Sequence, residues 1–127
     1  MLLSKIDVIK KNEEFQRIFG KGHSIYGRYL VVYFLHTAFN NTRFGFCVGR
    51  KIGNAVLRNR IKRLLREAVR ANEIGFGGRD ILLVARSSIR SASLTNIISE
   101  IKYILDKVKK IQTASPVSQR IEREGSQ

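Results

Sequence analysis

The sequence predicts a mixed α+β domain in which helices pack on one small sheet. Three observations carry that expectation. Apolar residues recur at helical spacing in three separate stretches, and runs rich in aromatic and β-branched residues lie between them. At 127 residues the chain has room for one ordinary domain, large enough to bury a core without staples.

The first helix is read from Asn12, taken as its N-cap, with Glu13 and Glu14 as acid in the opening turn. Phe15, Ile18 and Phe19 follow on one face, and Gly20 and Gly22 on either side of Lys21 supply the stop. Residues 29–36 read as a strand and residues 43–48 as another, separated by a turn at Asn40-Asn41 and expected to pair as a hairpin with a long loop. From about 55 to 71 the period is helical again. Leu57, Ile61, Leu64, Leu65 and Ala68 fall in one sector, with Asn59, Lys62, Arg63, Arg66 and Arg70 opposite.

Gly75, Gly77 and Gly78 mark a loop before residues 80–85, a mostly apolar strand expected to be central and buried on both faces. Ser93 is placed as the cap of a last helix with a wide stripe from Leu94 through Ile97, Ile101, Ile104 and Val108 to Ile111. Residues 112–127 hold the only proline, scattered charge and few apolar side chains. They are expected to be a disordered basic and polar tail on a domain drawn at residues 1–111.

Charge points to the partner. The net charge is +14, and the 21 residues 50–70 hold eight bases against Glu67 alone, half of that total. Such self-repulsion calls for something that neutralises it, so a polyanion is expected, either nucleic acid or an anionic membrane surface. Cys47 is the only cysteine, which excludes a disulfide framework and a cysteine-rich zinc site. His23 and His36, thirteen positions apart, are the only histidines, so no metal cluster is visible. No apolar run nears the roughly 18 residues of a membrane span. The start lacks the features of a signal peptide, and a reduced, cytoplasmic setting is expected.

The strand at 29–36 has an apolar side, Leu30, Val32 and Phe34, and an amphipathic one, Tyr29, Val31, Tyr33 and Leu35. Phe15 and Phe19 are either ordinary core anchors or, beside that amphipathic side, part of a platform on which single-stranded bases stack. The two histidines offer no visible acid–base pair, Gly75-Phe76-Gly77-Gly78 lacks phosphate-loop spacing, and no carboxylates stand paired for a metal. The residues describe a binder, with any catalysis supplied by something else.

The stretch Lys51-Ile52-Gly53-Asn54-Ala55-Val56-Leu57-Arg58-Asn59-Arg60-Ile61-Lys62-Arg63-Leu64-Leu65-Arg66-Glu67 closely resembles the signature of the protein subunit of bacterial ribonuclease P. Its core is Arg58-Asn59-Arg60, followed by Lys62, Arg63 and Arg66 at the family's spacing. The segment from Lys11 to Phe19 resembles the family's first helix, and that from Arg28 to Tyr33 its first strand. Gly49, Arg50 and Val69 depart from the common pattern without touching the motif. The match covers about residues 5–111.

The resemblance implies a small two-layer αβββαβα domain, similar to the ribosomal protein S5-like fold, with a left-handed βαβ crossover where most are right-handed. It implies a protein that assists a catalytic RNA in removing the 5′ leader of precursor tRNA. The chemistry and the required Mg²⁺ belong to that RNA, and neither a catalytic residue nor a bound cofactor is expected in the protein. By position, Lys51, Asn54, Arg58, Asn59, Arg60, Lys62, Arg63 and Arg66 would meet the catalytic RNA, and Phe15, Phe19 and Tyr33 would line a leader cleft. The rival reading is a ribosomal or other structural RNA binder with no such cleft.

Overall fold

The computed structural model describes residues 8–37, 41–72, 78–111 and 120–122. In chain order it contains α1 (Asn12–Lys21), β1 (His23–Tyr26), β2 (Leu30–His36), β3 (Arg43–Cys47), α2 (Ala55–Ala71), β4 (Arg79–Ala85), α3 (Leu94–Lys110) and β5 (Arg120–Glu122). Short 3-10 turns at Arg50–Ile52 and Ser87–Ser91 precede α2 and α3. One sheet holds all five strands in the order β3-β4-β2-β1-β5. The α+β expectation and its αβββαβα order are therefore met, with β5 added.

Strand alternation divides the core between two faces of the sheet. On one face Leu30, Val32, Phe34, Phe44, Phe46, Ile81 and Leu83 meet α2 (Ile61, Leu65, Ala68, Val69) and α3 (Ile97, Ile101, Ile104, Leu105, Val108). On the other face Ile18 of α1 closes over Leu82, with Ile9 alongside. β4 is buried on both faces, as expected, because its residues contribute to both clusters.

The expected hairpin between the strands at 29–36 and 43–48 is not formed. β4 lies between them, antiparallel to β2 and parallel to β3. A strand apolar on both sides gains most by taking the central place, whereas turn residues and alternation carry no record of which strand pairs with which. The hairpin that does form joins β1 to β2 through residues 27–29, so the strand matched to the family's first is second in order. β1 has only four residues between Gly22 and Gly27, too few to show a period. A Cβ at Gly22 would stand 2.6 Å from the Ile18 carbonyl oxygen and 2.7 Å from that of Phe34, so only glycine lets α1 turn directly into the sheet.

Helix ends follow local chemistry with small shifts. Asn12 is the first helical residue of α1 and Lys11, in extended conformation, holds the cap position without a side-chain bond. Gly20 lies inside that helix, and Gly22 ends it by donating its N–H to the Ile18 oxygen at 2.8 Å. Ser93 caps α3 in a reciprocal box with Asn96, at 3.1 and 3.2 Å. Gly78 enters β4 with φ 77°, a left-handed conformation that favours glycine.

Glu100 of α3, only 2% exposed, accepts the backbone N–H groups of Arg28 and Tyr29 at 2.8 Å and of Leu30 at 3.1 Å. Helix and hairpin are thereby tied together. Tyr29, expected on the amphipathic side of its strand, lies before β2 begins and packs on the main core. The turn residue Asn40, the loop glycines Gly75 and Gly77, and most of the expected tail lie outside the described residues. Within that tail stretch, Arg120–Glu122 pairs in parallel with β1.

Candidate nucleic-acid interface

α2 is built so that burying one sector leaves the other to solvent. Ile61, Leu65, Ala68 and Val69 are buried, while Asn59, Arg60 and Arg63 are exposed and Arg58, Lys62 and Arg66 are half-buried. Arg66 lays its guanidinium over the Phe46 ring at 5.7 Å, and the Arg58 Nε donates to the Gly53 oxygen at 3.2 Å. These contacts hold two of the guanidinium groups against the protein without pairing their charge. Glu67 pairs with Arg70 at 3.6 Å, and among the described residues no ion pair involves Arg58, Arg60, Lys62, Arg63 or Arg66.

Asn54 uses its Oδ1 to cap α2, accepting the Leu57 N–H at 2.9 Å. Lys51 sits in the 3-10 turn and lines a surface depression of about 440 Å³ together with Val84, Ala85, Arg86, Ser87 and Ser88.

On the α1 face of the sheet, cross-strand register arranges the side chains in rows. Arg43, Asp80 and Leu35 form the first, and Gly45, Leu82, Tyr33 and Ser24 the second. Cys47, Val84, Val31 and Tyr26 form the third. α1 seats itself through Ile18 on Leu82 and through Phe15 on Gly45, where an added Cβ would come within 2.6 Å of the Phe15 ring.

Phe19 stands edge-on to Tyr33, ring centroids 4.8 Å apart at 76°. Phe15 and Tyr33 are half-buried and Phe19 is 38% exposed, so the three expected cleft rings do share one wall, to unequal depths. The third row lies beside that wall on the same sheet face, and wall and row together form a trough beside α1. Val84 of that row also lines the depression carrying Lys51 and Arg86. Burial pushes the Cys47 thiol up from its usual range, and Lys62 is near enough for its charge to oppose the shift.

Tyr26, Val84, Arg86, Ser87 and Ser88 escaped sequence reasoning. Only the β1–β2 register assigns Tyr26 to the trough face, and residues after a strand end carry no period from which a side can be read. His23 is buried with its ring stacked 5.3 Å from that of Phe34, and His36 is exposed at the end of β2. Register puts both positions on the sheet face opposite the trough.

Fold and surface together define the class: a small α+β protein with a cationic helix face and an aromatic wall beside its first helix. A family model described as ribonuclease P matches residues 3–109. The ribonuclease P protein component of Alkaliphilus oremlandii (strain OhILAs) is 38% identical over 113 residues, covering 88% of this chain and 99% of that one. The Staphylococcus aureus component is 39% identical over 112 residues, 87% of this chain and 95% of that one. A solved structure of the S. aureus ribonuclease P protein superposes with a TM-score of 0.74 at 38% identity, covering 83% of this chain and 97% of that one. The Thermotoga maritima protein does so at 0.70 and 29% identity, over 84% and 99%.

The chain belongs to the ribonuclease P protein family. Its context is thus tRNA processing by a ribonucleoprotein nuclease, with RNA as partner, and the structural RNA-binder rival is not favoured. Among the described residues no helix is long and apolar enough to cross a membrane.

Proposed function

We propose that this chain, working in the cytoplasm, binds the catalytic RNA of ribonuclease P through the cationic sector of α2 and holds the 5′ leader of precursor tRNA in the trough beside α1. The observation that carries the reading is that the helices bearing two dissimilar surfaces, cationic α2 and ring-bearing α1, pack on opposite faces of one sheet. Arg58, Arg60, Lys62, Arg63 and Arg66 suit phosphates in bulk, because each contact releases condensed counterions. Asn59, exposed among them, suits one geometrically specific polar contact. Lys51 and Asn54 belong to the same RNA surface at its N-terminal end. The trough offers rings to unpaired bases at Phe15, Phe19 and Tyr33, with Arg86 further along for the backbone.

Cleavage and its Mg²⁺ are assigned to the RNA subunit. Both histidine positions lie on the face away from the trough, so neither lines the site assigned to the leader. Reconstitution tests the whole reading. Purified chain alone is expected to leave precursor tRNA intact and, added to the catalytic RNA at low Mg²⁺, to restore cleavage at the mature 5′ end. Cleavage by nuclease-free protein without RNA, or no rescue of the RNA by the protein, would refute it.

A further inference from the structure

We propose that Asp80, Arg43 and Glu14 are positioning residues for the trough: an ion cluster that sets where α1 stands over the sheet and so fixes the aromatic wall. The inference rests on the leader reading of that trough.

α1 has ten residues and buries only Ile18 completely, too little apolar anchorage to fix its angle on the sheet. Its C-terminal end is held by the Gly22 cap and the immediate entry into β1. Just upstream, the Ile9 N–H donates to the Phe44 oxygen at 2.8 Å. The first turn itself is held by charge. The Arg43 guanidinium grips Asp80 with two parallel bonds, Nε to Oδ1 at 2.9 Å and Nη2 to Oδ2 at 2.7 Å, and its remaining arm, Nη1, reaches Glu14 of α1 at 2.9 Å. Arg17, one turn along α1, adds a contact to Asp80 Oδ2 at 3.4 Å.

The placement ties this cluster to the trough rather than to the main core. Arg43 and Asp80 lie in the same row of the α1 face, one row from Gly45 and Leu82, on which Phe15 and Ile18 sit. Asp80 is 1% exposed, so its carboxylate depends on the planar fork of Arg43, which a lysine ammonium cannot reproduce. The hydrogen bond that Arg43 donates to Asp80 holds its guanidinium more firmly protonated than usual, with burial opposing and Glu14 assisting. Two acids matched by two arginines also present no net charge beside a site meant for a polyanion. In a chain of +14 that neutral island is a geometric device rather than an electrostatic lure.

The test uses Glu14→Gln and Arg43→Lys, mild changes that leave Asp80 in place, with Phe19→Ala as a probe of the trough itself. Two quantities are read on each: hydrogen exchange of α1 amides in the full chain, and the affinity of the reconstituted holoenzyme for leader-bearing precursor relative to mature tRNA. The clamp variants are expected to raise exchange in α1 while α2 and α3 stay protected. They should reduce the precursor preference about fivefold, the low end of one base stack. Arg43→Lys keeps the charge and loses the fork, so a purely electrostatic role would leave its preference intact and overturn the proposal. Unchanged exchange in α1, or increased exchange with an unchanged precursor preference while Phe19→Ala loses it, would overturn it equally. If Phe19→Ala itself keeps the full preference, the leader reading of the trough falls instead, whatever the exchange of α1 shows.

Discussion

Replacing Phe19 by alanine separates a binding ring from a packing ring. Sequence alone makes Tyr33 the cleaner test, because a phenol suits a wet site; the structure reverses the order, since Tyr33 is half-buried and Phe19 shows 38% of its surface. A fully buried Phe→Ala costs about 3–5 kcal/mol, but Phe19 already meets water and its edge contact with Tyr33 is worth about 0.5–1.5 kcal/mol, so a stability loss of about 1–2 kcal/mol is expected.

The binding loss should be of similar size but selective. One stacked base contributes about 1–3 kcal/mol, a factor of about 5 to 150 in Kd for leader-bearing precursor tRNA. Mature tRNA has no leader and should bind unchanged. Denaturant unfolding of the free protein and titration of the holoenzyme with both RNAs supply the numbers. A stability loss above about 3 kcal/mol would return Phe19 to the core, and equal weakening toward both RNAs would remove it from a leader site.

Other expectations follow from the same contacts. Arg60→Ala with Arg63→Ala, both exposed and outside any described ion pair, should weaken binding to the catalytic RNA and flatten its log–log salt slope by about 0.7–0.9 per lost phosphate contact; an unchanged slope would take this sector out of the interface. Glu100→Ala should destabilise the fold by about 1–3 kcal/mol in urea, because the Leu30 amide is left buried while those of Arg28 and Tyr29 can turn to water; a loss under about 1 kcal/mol would show the hairpin holds without it. Alkylation of Cys47 in the folded chain should lag behind that of the unfolded chain at neutral pH and catch up only in alkali. Burial favours the protonated thiol, so the associated stability is full below the unfolded thiol's range and declines as pH rises through the raised folded value; equal rates at neutral pH would contradict it.

Local chemistry was legible where it repeats along the chain. The 3.6-residue period set α2 at residues 55–71 and separated Ile61 and Leu65 from Arg60 and Arg63, because one helix face can be read without knowing what covers it. The capping role of Ser93 was equally local, a side-chain oxygen meeting an amide three residues on. The family signature at residues 51–67 rests on the same contiguity.

Contacts between distant segments were not legible in this way. Nothing near residue 80 announces that β4 will divide β2 from β3, since alternation tells which way side chains point and not which strand lies alongside. The trough exists only through that pairing: register alone sets Tyr26, Val31, Val84 and Cys47 in one row, and brings Asp80 to Arg43 across 37 positions of chain. The sequence by itself determined the charge, the periodic elements and the family. Tertiary structure alone decided which rings stand open, which carboxylates are buried, and how far a half-anchored helix is held from the sheet, because those depend on neighbours that the folded chain brings together.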